Sequence, residues 1–446
     1  MKKILALTLL LAASFHAKAQ ISSYTDLGTK FTSEDLNGTS RFVSMGGAFG
    51  ALGGDLSAIS VNPAGAAVFM DSQFTGTLGY RSTEFKSNYY GTPTNSNDDY
   101  FNIQQIGVVF VNEYNSSTWS KVAFGFNYTL STDYDNDWRA EGNSNFPTFT
   151  KSPDGESEPY LYTTGQRFLN VYEGQKNRYE FFIAADVNDQ FQIGGSIISF
   201  SNDLNQNVIL KEYNDDNQGN ELDATLDEYL EVRSNGIALN FGLIYKPIQS
   251  VRLGLSYQTP TWYSVSEAYV KSERRFFSID ETTYVDNFDP NFFDYDLRTP
   301  SKTTASFAYI FGKKGLISVD YTYQNYSNIE YDNPYNDFNN ENRFFSQNLN
   351  GVSQLRIGTE WRLKNLSLRG GYNYEQSPYK NSKSSENINR IAFGLGYNFG
   401  RVKIDLSYQN VQYDTYYDFY PQYEQVDLTK LKVNTSSILG SVSIEL

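Results

Sequence analysis

Cysteine is absent from this 446-residue chain, and histidine occurs once, at His16. Without cysteine no disulfide staples the fold, so backbone pairing and packing must hold it. No stretch after the N-terminus approaches the roughly 20 apolar residues that a spanning helix needs, which excludes a helical membrane protein. Basic charge is also scarce: 36 Lys and Arg stand against 51 Asp and Glu, a formal net charge of −15. Such a surface repels nucleic acid, and no nucleic-acid partner is expected. The acidic excess reads as solvated loops.

The N-terminus has the form of a secretory leader. Met1-Lys2-Lys3 is a short basic start, Ile4 to Phe15 an apolar run, and Ala17-Lys18-Ala19 the small-x-small pattern a signal peptidase cuts. Residues 1–19 are read as a signal peptide, with cleavage after Ala19 and Gln20 as the mature N-terminus. Removing Lys2, Lys3 and Lys18 makes the mature chain more acidic still. His16 leaves too, so the mature chain has neither His nor Cys. That excludes Ser-His-Asp and Cys-His catalysis, the usual zinc sites and haem held by His; only Tyr or Met would be left as a haem ligand. No enzyme activity, cofactor or metal site is expected.

What the chain does have is aromatics, 16% of residues, with 36 Tyr and 32 Phe. Both are strand formers, and a soluble domain would draw more on Leu and Ala. From about residue 73 the sequence alternates. Val122, Phe124, Phe126, Tyr128 and Leu130 share one face; Ile237, Leu239, Phe241, Leu243 and Tyr245 make another. Similar faces are Leu355-Ile357-Thr359-Trp361-Leu363 and Ile391-Phe393-Leu395-Tyr397-Phe399. Val402, Ile404, Leu406 and Tyr408 alternate cleanly with Arg401, Lys403, Asp405, Ser407 and Gln409. Period two fits a soluble β-sandwich as well as a membrane barrel. Strand lengths of about ten or more, with aromatics near their ends, favour the barrel. The expectation is all-β: about fourteen antiparallel transmembrane strands over 73–446, centred near 79, 107, 124, 182, 196, 238, 254, 305, 320, 358, 370, 394, 405 and 440. Tight turns are expected at Asn188-Asp189, Pro247-Ile248, Gly312 to Gly315, Lys364-Asn365 and Phe399-Gly400. Long polar outer loops are expected at about 134–175, 211–228, 265–295, 327–350 and 411–430.

Residues 20–72 differ. They are rich in Gly, Ala and Ser and lack strand alternation, and they read as a compact plug of short helices and turns. Asp55 or Ser57 is a candidate cap and Pro63 a helix stop. Gly47, Gly50 and Gly53 have no preceding strand, so no dinucleotide fingerprint exists and close packing explains them. Asp133-Tyr134-Asp135-Asn136-Asp137 opens like a calcium loop. Trp138 stands where the loop needs Gly and Ser144 where it needs Glu, so a solvated outer-loop cluster is the reading. Asp215-Asp216 with Glu221, Asp223, Asp227 and Glu228 is read the same way.

The order of these features resembles the FadL family of outer-membrane transporters. Asn62-Pro63-Ala64, extended by Gly65, is similar to the family's hatch motif, and Asp55 to Ser60 to its approach. Tyr245-Lys246-Pro247 through Leu253-Gly254-Leu255-Ser256-Tyr257-Gln258-Thr259-Pro260 resembles a mid-barrel hairpin of the family. Thr299-Pro300 with Ala305 to Tyr309 and Val319-Asp320-Tyr321, then Leu368 to Tyr372 with Ser377-Pro378, resemble later ones. The resemblance implies an N-terminal hatch (20–72) inside the barrel lumen and Asn62, Pro63, Ala64 and Gly65 as its gating motif. It implies passive uptake of hydrophobic, fatty-acid-like molecules by outer-loop capture, a barrel pocket and lateral release. It further implies a monomer in the outer membrane of a Gram-negative cell, among membrane lipid and lipopolysaccharide. Two other readings remain: a barrel that docks secreted proteins at the surface, as type IX secretion carriers do, and a porin for polar solutes.

Overall fold

The computed structural model describes residues 21–446 apart from 115–118 and 334–336. The leader, its cleavage point at Ala19, His16 and Gln20 lie outside the described residues. Nineteen strand segments join in one antiparallel sheet. Five breaks within strands reduce them to fourteen staves. These are β1 (Gln73–Tyr89), β2 (Thr92–Glu113), β3 (Trp119–Asp133 continued by Asn136–Gly142), β4 (Tyr162–Val187) and β5 (Phe191–Asp215). Next come β6 (Glu221–Ile248), β7 (Val251–Gln258 and Thr261–Phe277), β8 (Thr282–Asn287, Asn291–Thr299 and Lys302–Ile310) and β9 (Gly315–Asn325 and Glu330–Asp332). β10 (Gly351–Leu363), β11 (Leu366–Glu375), β12 (Ile388–Asn398), β13 (Val402–Tyr417) and β14 (Thr429–Glu445) complete the set. β14 pairs with β1 from Gln73↔Glu445 to Asn88↔Lys430, so the sheet closes. Each of the fourteen centres expected from the alternation falls inside its own strand. Joining the first strand to the last removes the two outer edges of the sheet, whose unpaired N–H and C=O groups would be costly in lipid.

Tight turns at 188–190, 249–250, 311–314, 364–365 and 399–401 lie at the end that holds Gln73 and Glu445; the other end, here called distal, carries long connections such as 143–161 and 376–387 beside short ones at 90–91, 216–220 and 278–281. Asn188, Asp189, Lys364, Gly312 and Gly400 take positive φ in these turns, a backbone state common in tight hairpins. Between the two ends an apolar belt faces outward. Leu239, Phe241, Leu255, Ile357, Leu395 and Leu406 are among its exposed side chains. Aromatics edge it on the terminal side, where Phe191 stacks on Tyr245 at 4.7 Å and Phe311 on Trp361 at 5.5 Å. Tyr80, Tyr257, Trp262 and Tyr408 are exposed toward its distal side. Apolar belt and aromatic girdles together mark a transmembrane barrel. No helix among the described residues is long and apolar enough to cross a membrane.

The distal half departs from the sequence expectation. β4, β5 and β6 run 26, 25 and 28 residues, well beyond the roughly 9–11 that a tilted spanning strand needs. The expected loop at 211–228 is thus mostly the ladder of β5 and β6, paired to Asp215↔Glu221. The expected loop at 265–295 is mostly β7 and β8. Asp133 to Asp137 is likewise not a solvated loop. It is the break in β3, where Arg81 pairs with Asp133 at 3.0 Å and Trp138 is buried. Glu228 is buried and accepts a hydrogen bond from Tyr269 at 2.6 Å. In these tall strands the inward residues form apolar cores, one around Leu27, Phe31, Leu230 and Phe345 and another around Trp138, Phe168, Leu226 and Phe419.

Candidate functional site: the filled lumen

Residues 22–72 occupy the lumen. Helix α1 (Tyr24–Thr32) opens with a capping box: Ser23 accepts from the Asp26 N–H while the Asp26 carboxylate accepts from Ser23 N–H. Helix α2 (Ser40–Ser44) is capped by Thr39. Asp55, an expected cap, accepts from both Ser57 N–H and the Thr39 hydroxyl, tying two turns together. Pro63 starts a short 3₁₀ turn (Pro63–Val68) instead of only ending one; Asn62 caps it by accepting from Ala64 N–H at 3.1 Å.

The motif singled out from sequence lies against the wall. The Asn62 amide donates to Gly50 C=O at 2.7 Å and to Leu243 C=O of β6 at 3.1 Å. Its neighbours on the wall are glycines. A Cβ on Gly242 would lie 1.9 Å from Asn62 Oδ1, one on Gly194 would lie 2.6 Å from Ala64 N, and one on Gly254 would lie 2.4 Å from Gly50 O. Gly194 and Gly242 are register partners on β5 and β6. Gly65 packs on Gly53, whose own φ is +59°. Across the lumen a second glycine seat, Gly358, Gly371 and Gly394 of β10, β11 and β12, receives Met45, Gly46 and Ser44. Only a bare backbone lets these surfaces approach so closely.

Charge fixes the segment as well. Glu360 of β10 is 1% exposed and takes Arg41 Nε and Arg369 Nε on one oxygen, at 2.9 and 2.7 Å, and Arg362 on the other. Arg41 also donates to Gly54 C=O. Burial would lower the Arg41 pKa, but Glu360 and Asp55 push it above its ordinary value. Glu34 meets Lys302 at 3.3 Å and Arg178 at 3.7 Å. Burial would raise its pKa, yet Lys302, Arg178 and Lys176 hold it down, from 4.5 to about 2. Asp35 goes the other way: burial outweighs Arg390 and raises its pKa.

Two cavities adjoin this segment, the first polar and the second of mixed lining. One of about 80 Å³ is lined by Glu34, Asn37, Arg178, Asn240, Lys302 and Arg356 among others. The second, about 290 Å³, extends from Ser33–Asn37 to Gly79, Arg81 and Gln104 and to Thr132–Asn136 at the break in β3. There the wall changes. β2 pairs with β3 only from Gln105↔Thr129 to Glu113↔Lys121. Beyond that point β2 pairs only with β1 among the described residues. The seam is closed by side chains: Arg81 joins Asp98 at 2.9 Å and Asp133 at 3.0 Å. Distal to the cavities, Phe168 stacks on Phe419 at 3.8 Å, with Trp138 and Tyr417 alongside.

Sequence reading found the motif but not its seats or its ion pairs. Three seat glycines lie at inward positions between outward apolar residues: Gly242 between Phe241 and Leu243, Gly254 between Leu253 and Leu255, and Gly394 between Phe393 and Leu395. That spacing was available as a signal. Of these ion pairs, Arg41–Glu360 spans 319 residues and Arg81–Asp133 spans 52, and neither carries a local signature.

No family model matches the chain, and no curated protein matches it. Solved structures do. A Pseudomonas aeruginosa FadL homologue is 12% identical at a TM-score of 0.58, covering 93% of this chain and 99% of its own. The Pseudomonas putida toluene transporter TodX is 15% identical at 0.58, covering 93% and 100%. The Ralstonia pickettii toluene transporter TbuX is 16% identical at 0.54, covering 92% and 99%. At such identities the likeness is one of architecture, and it runs nearly end to end: this chain has the FadL-type fold, a fourteen-stranded antiparallel barrel closed around its own N-terminal segment.

Proposed function

We propose that the chain lies in the outer membrane and carries hydrophobic small molecules inward without chemistry. The observation that supports this most is the cavity of about 290 Å³ joining the lumenal segment to the place where the β2–β3 ladder stops. A ligand there is one side-chain rearrangement from the bilayer. Capture is assigned to the distal loops, above the closed aromatic cluster of Trp138, Phe168, Tyr417 and Phe419, whose rings pack on one another. Residues 20–72 act as a hatch, with Asn62, Pro63, Ala64 and Gly65 as the gate that leaves its glycine seat. Release is lateral, past Arg81. Each CH₂ that passes from water into lipid contributes about 0.8 kcal/mol, so a gradient and a shielded path suffice. The solved toluene transporters and a monoaromatic hydrocarbon channel of the same fold support a hydrophobic cargo.

Lipid extraction and mass spectrometry of the barrel purified in mild detergent test the reading. A stoichiometric apolar compound is the expected result and names the substrate class. An empty barrel with a tightly held protein would favour the docking reading instead.

A further inference from the structure

The tall distal wall ends in a hairpin with one open side. β8 begins there as Thr282–Asn287, paired with Ser272–Phe277 of β7. On its other flank no strand pairs with it among the described residues, because the nearest part of β9, Glu330–Asp332, reaches only Arg298 to Asp296. Every residue from Thr283 to Phe292 is exposed. Phe288 N–H donates to Lys271 C=O. By the alternation of an antiparallel ladder, the residues of that parity face β7, and Thr283, Val285 and Asn287 turn their N–H and C=O groups outward. An open row of this kind is a template for another strand.

Two further features define what would fit. Tyr284, Val285, Phe288 and Phe292 are 40, 56, 47 and 75% exposed, so both faces of the edge offer apolar area. Residues 276–297 also hold six carboxylates, Asp280, Glu281, Asp286, Asp289, Asp294 and Asp296, and no Lys or Arg. Asp286 is engaged by Arg275 of the neighbouring strand; Glu281 and Asp289 have no ion-pair partner among the described residues. Pairing of two copies along this edge would set these acids against one another. We propose that the edge Thr283–Asn287 accepts an extended, basic segment of another polypeptide as an added strand, alternating apolar and Lys or Arg side chains. Its backbone takes the open N–H and C=O row, its apolar residues cover Val285 and Tyr284, and its cations meet Glu281 and Asp289. This is a surface function separate from the lumen.

The test uses the full-length mature chain in lipid nanodiscs. The probe is a short fluorescent peptide of alternating Lys and Val, with a Glu and Val peptide as control. Fluorescence anisotropy should show the Lys peptide binding, and the Glu peptide binding at least about tenfold more weakly. Hydrogen exchange should slow at Thr283, Val285 and Asn287 when the Lys peptide is present. Val285→Pro removes an outward N–H without touching the β7 ladder and should weaken binding about tenfold, with the barrel still heat-modifiable on gels. The Glu281→Lys, Asp289→Lys double variant leaves the backbone row intact and should weaken the Lys peptide while strengthening the Glu peptide. Absence of binding, equal binding by both peptides, equal binding by Val285→Pro, or unchanged exchange at Thr283–Asn287 would each overturn the proposal. So would a dimer that Val285→Pro dissolves, since the edge would then belong to a second copy.

Discussion

β6 holds both halves of the molecule on one continuous strand, and its two halves are built in opposite senses. Near the terminal end its odd-numbered residues Ile237, Leu239, Phe241 and Leu243 point outward and are exposed, while Ala238 and Asn240 face the lumen. Further along, the odd-numbered Glu221, Asp223, Asp227 and Glu231 still point outward, and Leu222, Ala224, Leu226, Leu230 and Val232 are buried inside. The side-chain parity never changes; the solvent outside does. In the belt the exterior is hydrocarbon and the interior is polar, as Glu360 with its three arginines illustrates. In the distal half the exterior is water, so the apolar residues turn inward and form a core. A barrel can therefore change its folding rule along one strand without a break in its ladder.

Substitutions on β6 and its neighbours would break or sharpen this contrast. The largest effect belongs to the distal core. Phe168→Ala, which removes the 3.8 Å stack on Phe419, should cost about 3–5 kcal/mol. Hydrogen exchange should localise the loss to the distal strands and leave the belt protected. Next is Leu239→Arg on the lipid face, which should cost about 2–4 kcal/mol near the bilayer midplane, read from urea unfolding in vesicles. Thr225→Arg has the same outward parity in the distal half and should shift stability by less than about 0.5 kcal/mol; a cost equal to that of Leu239→Arg would mean that lipid surrounds both halves. Gly242→Val should cost about 1–3 kcal/mol through overpacking. It should also unseat Asn62, since even a Cβ would lie 1.9 Å from Asn62 Oδ1, and so raise single-channel conductance above the wild type. The last effect is pH-dependent. The Glu34 pKa is depressed to about 2, so its ion pairs contribute fully above its ordinary value and are lost as pH falls toward 2. Exchange at Thr32–Asn37 should quicken over that acid range, and Glu34→Gln should abolish the dependence.

The belt was legible because lipid writes its signature into alternate residues: Val402, Ile404, Leu406 and Tyr408 announce a face with no knowledge of the fold. The distal strands used the same period, as in Leu222, Ala224, Leu226, Leu230 and Val232. Their charged partners give them the composition of loops, which is why 211–228 reads as one. The Asn62-Pro63-Ala64 motif was visible as a local string. Its wall contacts, Leu243 and Gly242, lie 180 or more residues away, and no local pattern encodes such distances. The break in β3 resembled a calcium loop because both need clustered carboxylates; Trp138, buried against Phe168, separates the two.

Flux through the reconstituted barrel tests the central claim most directly. Proteoliposomes holding the mature chain would be given a radiolabelled aromatic hydrocarbon or long-chain fatty acid and, in parallel, a neutral sugar of similar mass. The account predicts faster equilibration of the hydrophobic probe than in empty liposomes, slowed when the Arg81 seam is cross-linked to β3, with sugar flux at background. Rapid sugar flux with no gain for the hydrophobic probe would contradict it and make the barrel a polar pore.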